Sequence, residues 1–205
     1  NLVSAWTAKA LQHIEARVGF VAANEGEAVS QLAIAVELIK ANAAQESAEH
    51  PAGVYYRRSG LDPLGKLVAL FPGQGSQYVD MGRELAVNFP PVRQVFSDMD
   101  AAFEADGLRP LSSVVHPVPA FDNGQKESQS NTLTQTEYAQ PAIGTLNAGL
   151  YKLLQQAGFK ADFTAGHSFG ELTALWVAGV YNEDAYFTLA KARGKAMAPT
   201  TDPNF

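Results

Sequence analysis

The residues best suited to chemistry lie in the stretch Gly166-His167-Ser168-Phe169-Gly170. A Gly-x-Ser-x-Gly pattern between a strand and a helix is typical of a nucleophile elbow, a sharp turn that lifts a serine hydroxyl clear of a sheet. Residues 163–165 predict the strand and residues 169–178 the helix. Because a helix N-terminus favours a developing oxyanion, the pattern predicts Ser168 as a nucleophile and the N–H of Phe169 as an oxyanion donor. The alternative is a chance Gly/Ser loop.

A second tight turn, Gly73-Gln74-Gly75-Ser76-Gln77, also follows an apolar run and opens a helix. The third glycine of a dinucleotide-binding fingerprint is missing, since position 78 is Tyr, and no phosphate-binding P-loop pattern occurs anywhere. Such a turn exposes backbone N–H groups, so we predict the N–H of Gln74 as the second oxyanion donor. A merely structural turn is the alternative.

The elements that must position these turns follow from the hydrophobic pattern. From Lys66 onwards, apolar runs alternate with helical segments, which predicts a parallel, three-layer α/β core. The run Leu67 to Phe71 predicts a strand that is buried on both faces. Residues 117–136 are rich in Pro, Asn, Gln, Ser and Thr and predict a long loop. Pro141 suits the first turn of a helix, and a last helix is predicted over 183–198.

The first 65 residues predict a separate, small α/β domain. We predict helix over 4–16, strands at 18–21 and 54–56, and a polar loop over 46–53. Asn24 suits the N-cap of a further helix. The predicted apolar stripe of that helix consists of Val29, Leu32, Ala33, Val36 and Ile39.

Composition narrows the class of protein. The 205 residues are 46% hydrophobic and 18% charged, enough to bury a core. The net charge of −6, with scattered basic residues, argues against a nucleic-acid partner. The apolar runs are too short to span a membrane, and we expect neither a signal peptide nor a membrane partner. The absence of cysteine excludes disulfides and thiolate metal sites and is compatible with the cytoplasm, where we expect the protein to reside.

Four blocks of sequence together carry a family resemblance. They are residues 71–77, Gln140-Pro141-Ala142, residues 166–171 and Arg193-Gly194-Lys195-Ala196-Met197. In this order and spacing they resemble the malonyl-CoA:acyl-carrier-protein acyltransferases, and best the acyltransferase domains of polyketide synthases and polyunsaturated fatty acid synthases. The resemblance implies a partial α/β-hydrolase-like acyltransferase core over 66–205, preceded over 1–65 by a ketosynthase–acyltransferase linker.

The resemblance also implies a two-step reaction. Ser168 takes a malonyl group from malonyl-CoA as an ester, and the phosphopantetheine thiol of an acyl carrier protein then collects it. No bound cofactor or metal is implied. Arg193 matches an arginine that grips the malonyl carboxylate, and Gln140 matches a pocket glutamine. The alternatives are a solvated helix arginine and a glutamine that bonds local backbone. His167 is implied to lie in a second layer behind the nucleophile.

The sequence departs from this family in one respect. The family's general base is a histidine far downstream, after a ferredoxin-like subdomain, and none of the four histidines here matches it. We expect His13, His50 and His116 to be surface groups. The chain, which begins without Met, is therefore expected to be a fragment that lacks the base and the later core strands, and that transfers acyl groups poorly.

Truncation carries an expectation about partners. An incomplete parallel core leaves a sheet edge and apolar helix faces uncovered, so we expect self-association or pairing with the missing half. The neighbouring ketosynthase and an acyl carrier protein are the other expected partners. Two hypotheses compete with the acyltransferase: a serine esterase or thioesterase, in which water takes the acyl group, and a non-catalytic docking or linker module.

Overall fold

The computed structural model describes residues 16–59 and 66–198. Contacts divide the chain into two compact units, residues 1–64 and 65–205. Within the described residues, no helix is both long and apolar enough to cross a membrane.

The first unit is an antiparallel sheet with one helix against it. The strands are β1 (Arg17–Gly19), β2 (Ser47–His50) and β3 (Val54–Arg57), in the order β1-β3-β2. Helix α1 (Glu25–Ala41) packs on β3. Val54 and Tyr56 are buried and Tyr55 between them is exposed, as the two-residue period of a strand requires. The predicted strand around 54–56 is therefore confirmed, and the helix predicted over 4–16 lies almost wholly outside the described residues.

One of the local predictions in this unit was wrong and another is confirmed. Residues 47–50 form β2 rather than part of a polar loop, because residues 51–53 make a tight turn that returns the chain to β3. In that turn Gly53 has φ +76° and donates its N–H to the carbonyl of His50 at 2.9 Å. Asn24 does cap α1, accepting from the N–H of Glu27 at 2.9 Å.

The apolar stripe of α1 was assigned to the wrong face. Val29, Leu32 and Val36 are exposed, whereas Ala35 is buried. The helix carries apolar residues on two sides, so hydrophobicity alone does not identify the side that meets the sheet. The contact with β3 is made by the other side, which includes Ala35.

The second unit is built on two parallel strands, β4 (Val68–Phe71) and β5 (Phe163–Gly166). Its helices are α2 (Arg83–Asn88), α3 (Pro90–Ala105), α4 (Ser112–Val115), α5 (Asn123–Thr134), α6 (Thr136–Gln156), α7 (Gly170–Val177) and α8 (Glu183–Ala196).

Helix α6 lies at the centre of this unit, between α3 and α8. It is buried from Ala139 to Ala148 with few breaks, and its small residues let the neighbours approach closely. A Cβ at Gly149 would lie 3.1 Å from the Cα of Val92 on α3. A Cβ at Gly194 of α8 would lie 2.9 Å from the carbonyl oxygen of Thr136. The first contact holds α6 against α3, and the second holds the start of α6 against the end of α8.

Three predictions for the second unit require correction. Residues 123–134, expected in a loop, form α5: Asp122 caps it by accepting from the N–H of Gln125 at 2.8 Å, and Leu133 is its buried residue. Helix α6 begins at Thr136, so Pro141 lies inside the helix and not in its first turn.

The third correction concerns β4, which is not buried on both faces. Ala69 and Phe71 are buried, but Val68 and Leu70 are 47% and 75% exposed. Within the described residues the sheet has two strands, and one of its faces is uncovered. Phe163 on β5 is also exposed. An apolar sheet face is thus open, whereas the sequence led us to expect an open sheet edge and open helix faces.

Candidate active site

The two turns singled out in the sequence lie at the same edge of the sheet. Strands β4 and β5 are parallel, and Phe71 is in register with Gly166 at their carboxyl ends. The N–H of His167 donates to the carbonyl of Phe71 at 3.1 Å, which extends the pairing by one residue. The chain then turns sharply after each strand, so residues 72–77 and 167–169 become neighbours.

The backbone around Ser168 is a strained turn. Ser168 has φ +54°, a left-handed backbone conformation that residues other than glycine rarely adopt. Glycine flanks it because nothing larger fits: a Cβ at Gly166 would lie 2.0 Å from the carbonyl oxygen of Gly170, and a Cβ at Gly170 would lie 2.1 Å from that of Phe71. Ser168 is half-buried, and α7 begins two residues later. This is the geometry of the predicted nucleophile elbow.

The other turn is pressed against this elbow. A Cβ at Gly73 would lie 2.4 Å from the carbonyl oxygen of His167, 3.1 Å from the Cβ of Ser168 and 3.2 Å from the nitrogen of Phe169. The turn is held by its own bonds, with the side-chain oxygen of Gln77 accepting from the N–H of Gly75 at 2.8 Å.

Two backbone donors at this junction have no internal acceptor. In the part of the chain that the structure describes, neither the N–H of Gln74 nor that of Phe169 donates a hydrogen bond. N–H groups that lack an acceptor and lie beside a serine hydroxyl are what an oxyanion hole requires. The structure therefore brings the predicted nucleophile and both predicted donors into one place.

The packing of Phe169 involves residues that the sequence analysis missed. Its side chain is fully buried, and a Cβ at Gly144 would lie 2.8 Å from its ring. The hydroxyl of Tyr186 closes the same space: it lies 2.8 Å from the Thr173 hydroxyl and donates to the carbonyl of Gly144 at 3.1 Å. Burial raises the pKa of Tyr186. Close packing here is a tertiary property that no local sequence signal announces.

A chain of side-chain hydrogen bonds links three of the other predicted residues. Arg193 Nη1 donates to Gln140 Oε1 at 2.6 Å, and Gln140 Nε2 donates to Gln74 Oε1 at 3.2 Å. Gln74 Nε2 continues the chain to the hydroxyl of Thr136 at 3.4 Å. Among the described residues no carboxylate pairs with Arg193. A half-buried guanidinium without a counter-ion is suited to binding an anionic group.

The surroundings of the histidines agree only in part with those predicted from the sequence. His167 is exposed and holds the elbow through its backbone rather than its ring. His116, expected on the surface, is half-buried: its Nε2 lies 3.0 Å from the carbonyl oxygen of Met81 and its ring packs on Phe96. His50 is exposed, and His13 lies outside the described residues.

Within the described residues, the site has neither a histidine bonded to Ser168 nor a cluster of metal-binding side chains. Over residues 16–59 and 66–198 the hydroxyl of Ser168 makes no hydrogen bond to a histidine. Over the same ranges no group of three or more His, Asp or Glu side chains is placed to hold a metal ion.

Comparison with known proteins agrees with this geometry. A family model described as the acyl transferase domain matches residues 68–204. One component of the polyunsaturated fatty acid synthase of a Thraustochytrium species is 34% identical over 195 residues, which cover 92% of this chain and 7% of that protein. The malonyl CoA-acyl carrier protein transacylase of Bacillus subtilis is 37% identical over 135 residues, which cover 65% of this chain and 38% of that protein.

Solved structures give the same result. The acyltransferase domain from the second module of the salinomycin polyketide synthase superposes with a TM-score of 0.65 at 31% identity, covering 90% of this chain and 38% of that one. The chain thus spans less than half the length of each of these relatives. The family match includes the Gly73–Gln77 turn, the Ser168 elbow and Arg193 together. The family match covers well over half of the chain and the solved relatives share its α/β fold, so this chain belongs to the acyl transferase domain family.

Proposed function

We propose that Ser168 accepts an acyl group from coenzyme A and passes it to the phosphopantetheine thiol of an acyl carrier protein. In the first step Ser168 Oγ bonds to the thioester carbonyl carbon, the carbon–sulfur bond breaks, and the hydroxyl proton leaves with the coenzyme A thiol. In the second step the carrier thiol displaces Ser168 and returns the proton. The observation that carries the proposal is the left-handed Ser168 turn packed against Gly73, together with two backbone N–H groups, of Gln74 and Phe169, that donate no hydrogen bond to any described residue.

The backbone supplies transition-state stabilisation. The thioester oxygen becomes an oxyanion when Ser168 attacks, and the N–H groups of Gln74 and Phe169 are the proposed donors to it. Donors of this kind contribute on the order of 10²- to 10³-fold each to the rate. Because they belong to the backbone, replacing the Gln74 side chain leaves the donor in place.

The acyl group is proposed to be malonyl. Arg193 is a cation without a carboxylate partner in the described part of the chain, and the free carboxylate of malonate is the anion that it is proposed to bind. A charge-assisted bond of this kind is worth about 1.5–3 kcal/mol. The Bacillus relative, named for malonyl transfer to acyl carrier protein, supports the assignment. His167 is proposed to act only as backbone support behind Ser168.

Family membership favours transfer over the hydrolase alternative. The docking-module alternative still applies only to residues 1–65, which contain the first unit and which we propose to be the linker between a ketosynthase and this acyltransferase part. The match to the polyunsaturated fatty acid synthase covers 92% of the chain and so includes most of that unit, which supports this assignment. A cytoplasmic location also stays a proposal.

Further partners are proposed from the open sheet surface. Val68, Leu70 and Phe163 expose apolar area on β4 and β5. We propose that the isolated chain self-associates through this surface, or pairs with the remainder of an acyltransferase domain. Light scattering tests this: a monodisperse monomer with a cooperative melt would contradict it.

Acylation of the chain tests the proposed chemistry. Purified chain is incubated with malonyl-CoA, and the ester on Ser168 is followed by mass spectrometry. We expect Ser168-dependent acylation that is slow, since no described histidine activates the hydroxyl. Ser168→Ala abolishes it, whereas Ser128→Ala, at an exposed serine on α5, leaves it unchanged. Labelling that persists in Ser168→Ala overturns the proposal.

Selectivity tests the role of Arg193. Arg193→Ala is expected to lower the ratio of malonyl to acetyl ester about 10- to 100-fold. Lys195→Ala removes the same charge from an exposed position in the same turn of α8 and is the matched control. An unchanged ratio in Arg193→Ala rules out the carboxylate role.

A further inference from the structure

Gln140 is unusual among the site residues because it is polar and has no exposed surface. It lies in the second turn of α6, yet its side chain bonds no local backbone. Its amide reaches outward in two directions, to Arg193 on α8 and to Gln74 in the turn after β4. A fully buried amide retained between two other polar groups must be satisfied by them, since an unpaired one costs about 1–3 kcal/mol.

The chemistry of Arg193 fixes the orientation of this amide. A guanidinium donates hydrogen bonds and cannot accept them, so the atom 2.6 Å from Arg193 must be the Gln140 oxygen. The Gln140 nitrogen then points to Gln74 Oε1 at 3.2 Å, with the sulfur of Met197 at 3.5 Å. Every donor in the chain therefore points away from Arg193.

This direction has an electrostatic consequence. In a row of hydrogen bonds that all point the same way, each bond polarises the next. The positive charge of Arg193 strengthens the row, and the row in turn fixes the guanidinium in one place. Toward the residues that the structure describes, one guanidinium N–H group of the five is used, which leaves the others for a ligand.

We propose that Gln140 is a positioning residue that sets the acyl-group selectivity of this site by holding Arg193 with a neutral acceptor. The proposal rests on the proposed function of Arg193 as a carboxylate binder. Because the acceptor is an amide oxygen and not a carboxylate, it fixes the guanidinium without neutralising it. The charge remains available to a substrate carboxylate, and Gln74 ties the arginine to the turn that carries one oxyanion donor.

The Gln140→Glu variant separates two properties of Gln140, its ability to accept a hydrogen bond from Arg193 and its lack of charge. Glutamate has the same shape and still accepts from Arg193, but it adds a negative charge against the guanidinium. The row can reverse to accommodate it, because the Gln74 amide can flip to donate to the carboxylate while the Thr136 hydroxyl donates to Gln74. We therefore expect a folded protein in which the introduced carboxylate competes with the substrate carboxylate for Arg193.

The measurement is the ratio of malonyl to acetyl ester on Ser168 when both thioesters are offered together. Gln140→Glu is expected to lower this ratio about 10- to 100-fold, as Arg193→Ala does, while acetyl transfer is retained. Gln155→Glu is the matched control: it adds the same charge at an exposed position of the same helix and should leave the ratio unchanged. Loss of structure alone lowers the yields of the malonyl and the acetyl ester together and does not change their ratio.

A second variant protects the test against misfolding. Gln140→Met keeps the volume, removes the acceptor and adds no charge, and is expected to lower the ratio about 10-fold. If Arg193→Ala lowers the ratio and both Gln140 variants keep the wild-type ratio, the positioning role is wrong. If Arg193→Ala itself keeps the wild-type ratio, the proposed carboxylate role fails, and the inference about Gln140 falls with it.

Discussion

Replacing Gly73 by alanine tests whether the two turns act as one site. The added Cβ would lie 2.4 Å from the carbonyl oxygen of His167, whereas ordinary contacts begin near 3.4 Å. The turn must therefore retreat by about 1 Å (3.4 minus 2.4), because its opponent is backbone and cannot rotate away. A displacement of about 1 Å in a reacting group costs on the order of 10²-fold in rate.

We expect Gly73→Ala to slow acylation of Ser168 about 100-fold, since the Gln74 N–H moves away from the developing oxyanion. The assay is the initial rate of ester formation by mass spectrometry, with a thermal melt to confirm folding. Overpacking should cost about 1–3 kcal/mol of stability. Gly19→Ala, where the added Cβ meets nothing within 4 Å, is the control. A folded Gly73→Ala chain that is acylated at the wild-type rate would refute the two-turn oxyanion site.

Three further changes address stability. Gly144→Ala places a Cβ 2.8 Å from the ring of Phe169 and should lower the free energy of unfolding, measured by urea denaturation, by about 1–3 kcal/mol. Adding Phe169→Leu should restore part of the lost stability, and a double variant with no restored stability would contradict the contact. Tyr186→Phe removes the bond to the Thr173 hydroxyl, so a loss of about 1–2 kcal/mol is expected, and a loss below about 0.5 kcal/mol would show that bond to be unimportant. For Asp162, hydrogen bonds from the N–H of Leu67 and from Lys66 lower its pKa below the ordinary 3.8. The stabilisation of the folded chain by ionised Asp162 is thus present above about pH 4 and lost as the pH falls through the lower folded-state pKa. Asp162→Asn should remove this contribution to the pH dependence of unfolding. Identical acid unfolding curves for the wild type and Asp162→Asn would contradict the role of Asp162.

The turns of the site were predictable because their sequence signals are steric and local. Gly166 and Gly170 are required by backbone atoms within 2.1 Å of where a Cβ would be, so the Gly-x-Ser-x-Gly pattern and the structure express the same constraint. The prediction of the elbow at Ser168 needed no knowledge of the rest of the fold. The same holds for Asn24, whose cap bond is made within one turn of α1.

The elements that were missed depend on long-range contacts or on polar residues. Residues 123–134 look like a loop by composition, but Asp122 caps them and Leu133 anchors them, which suffices for a helix on the surface. Strand β2 has little β-propensity of its own and is held by its pairing with β3. The row of hydrogen bonds through Gln140 joins three separate elements. From the sequence, the residue type and position of Gln140 gave only a resemblance to a pocket glutamine.

The contact between Gly73 and the elbow also has a consequence for how the chain folds. Strands β4 and β5 are clamped at their start by Asp162, which bonds the N–H of Leu67 from 95 positions away. Contacts of such sequence separation close late, after local helices have formed. The left-handed φ of Ser168 is costly in an isolated segment, and in the folded chain the turn is packed against Phe71 and Gly73. The proposed reactivity of Ser168 is therefore expected to report completed folding, and we expect intermediates in which the helices are formed but the strands are unpaired to react slowly at this serine.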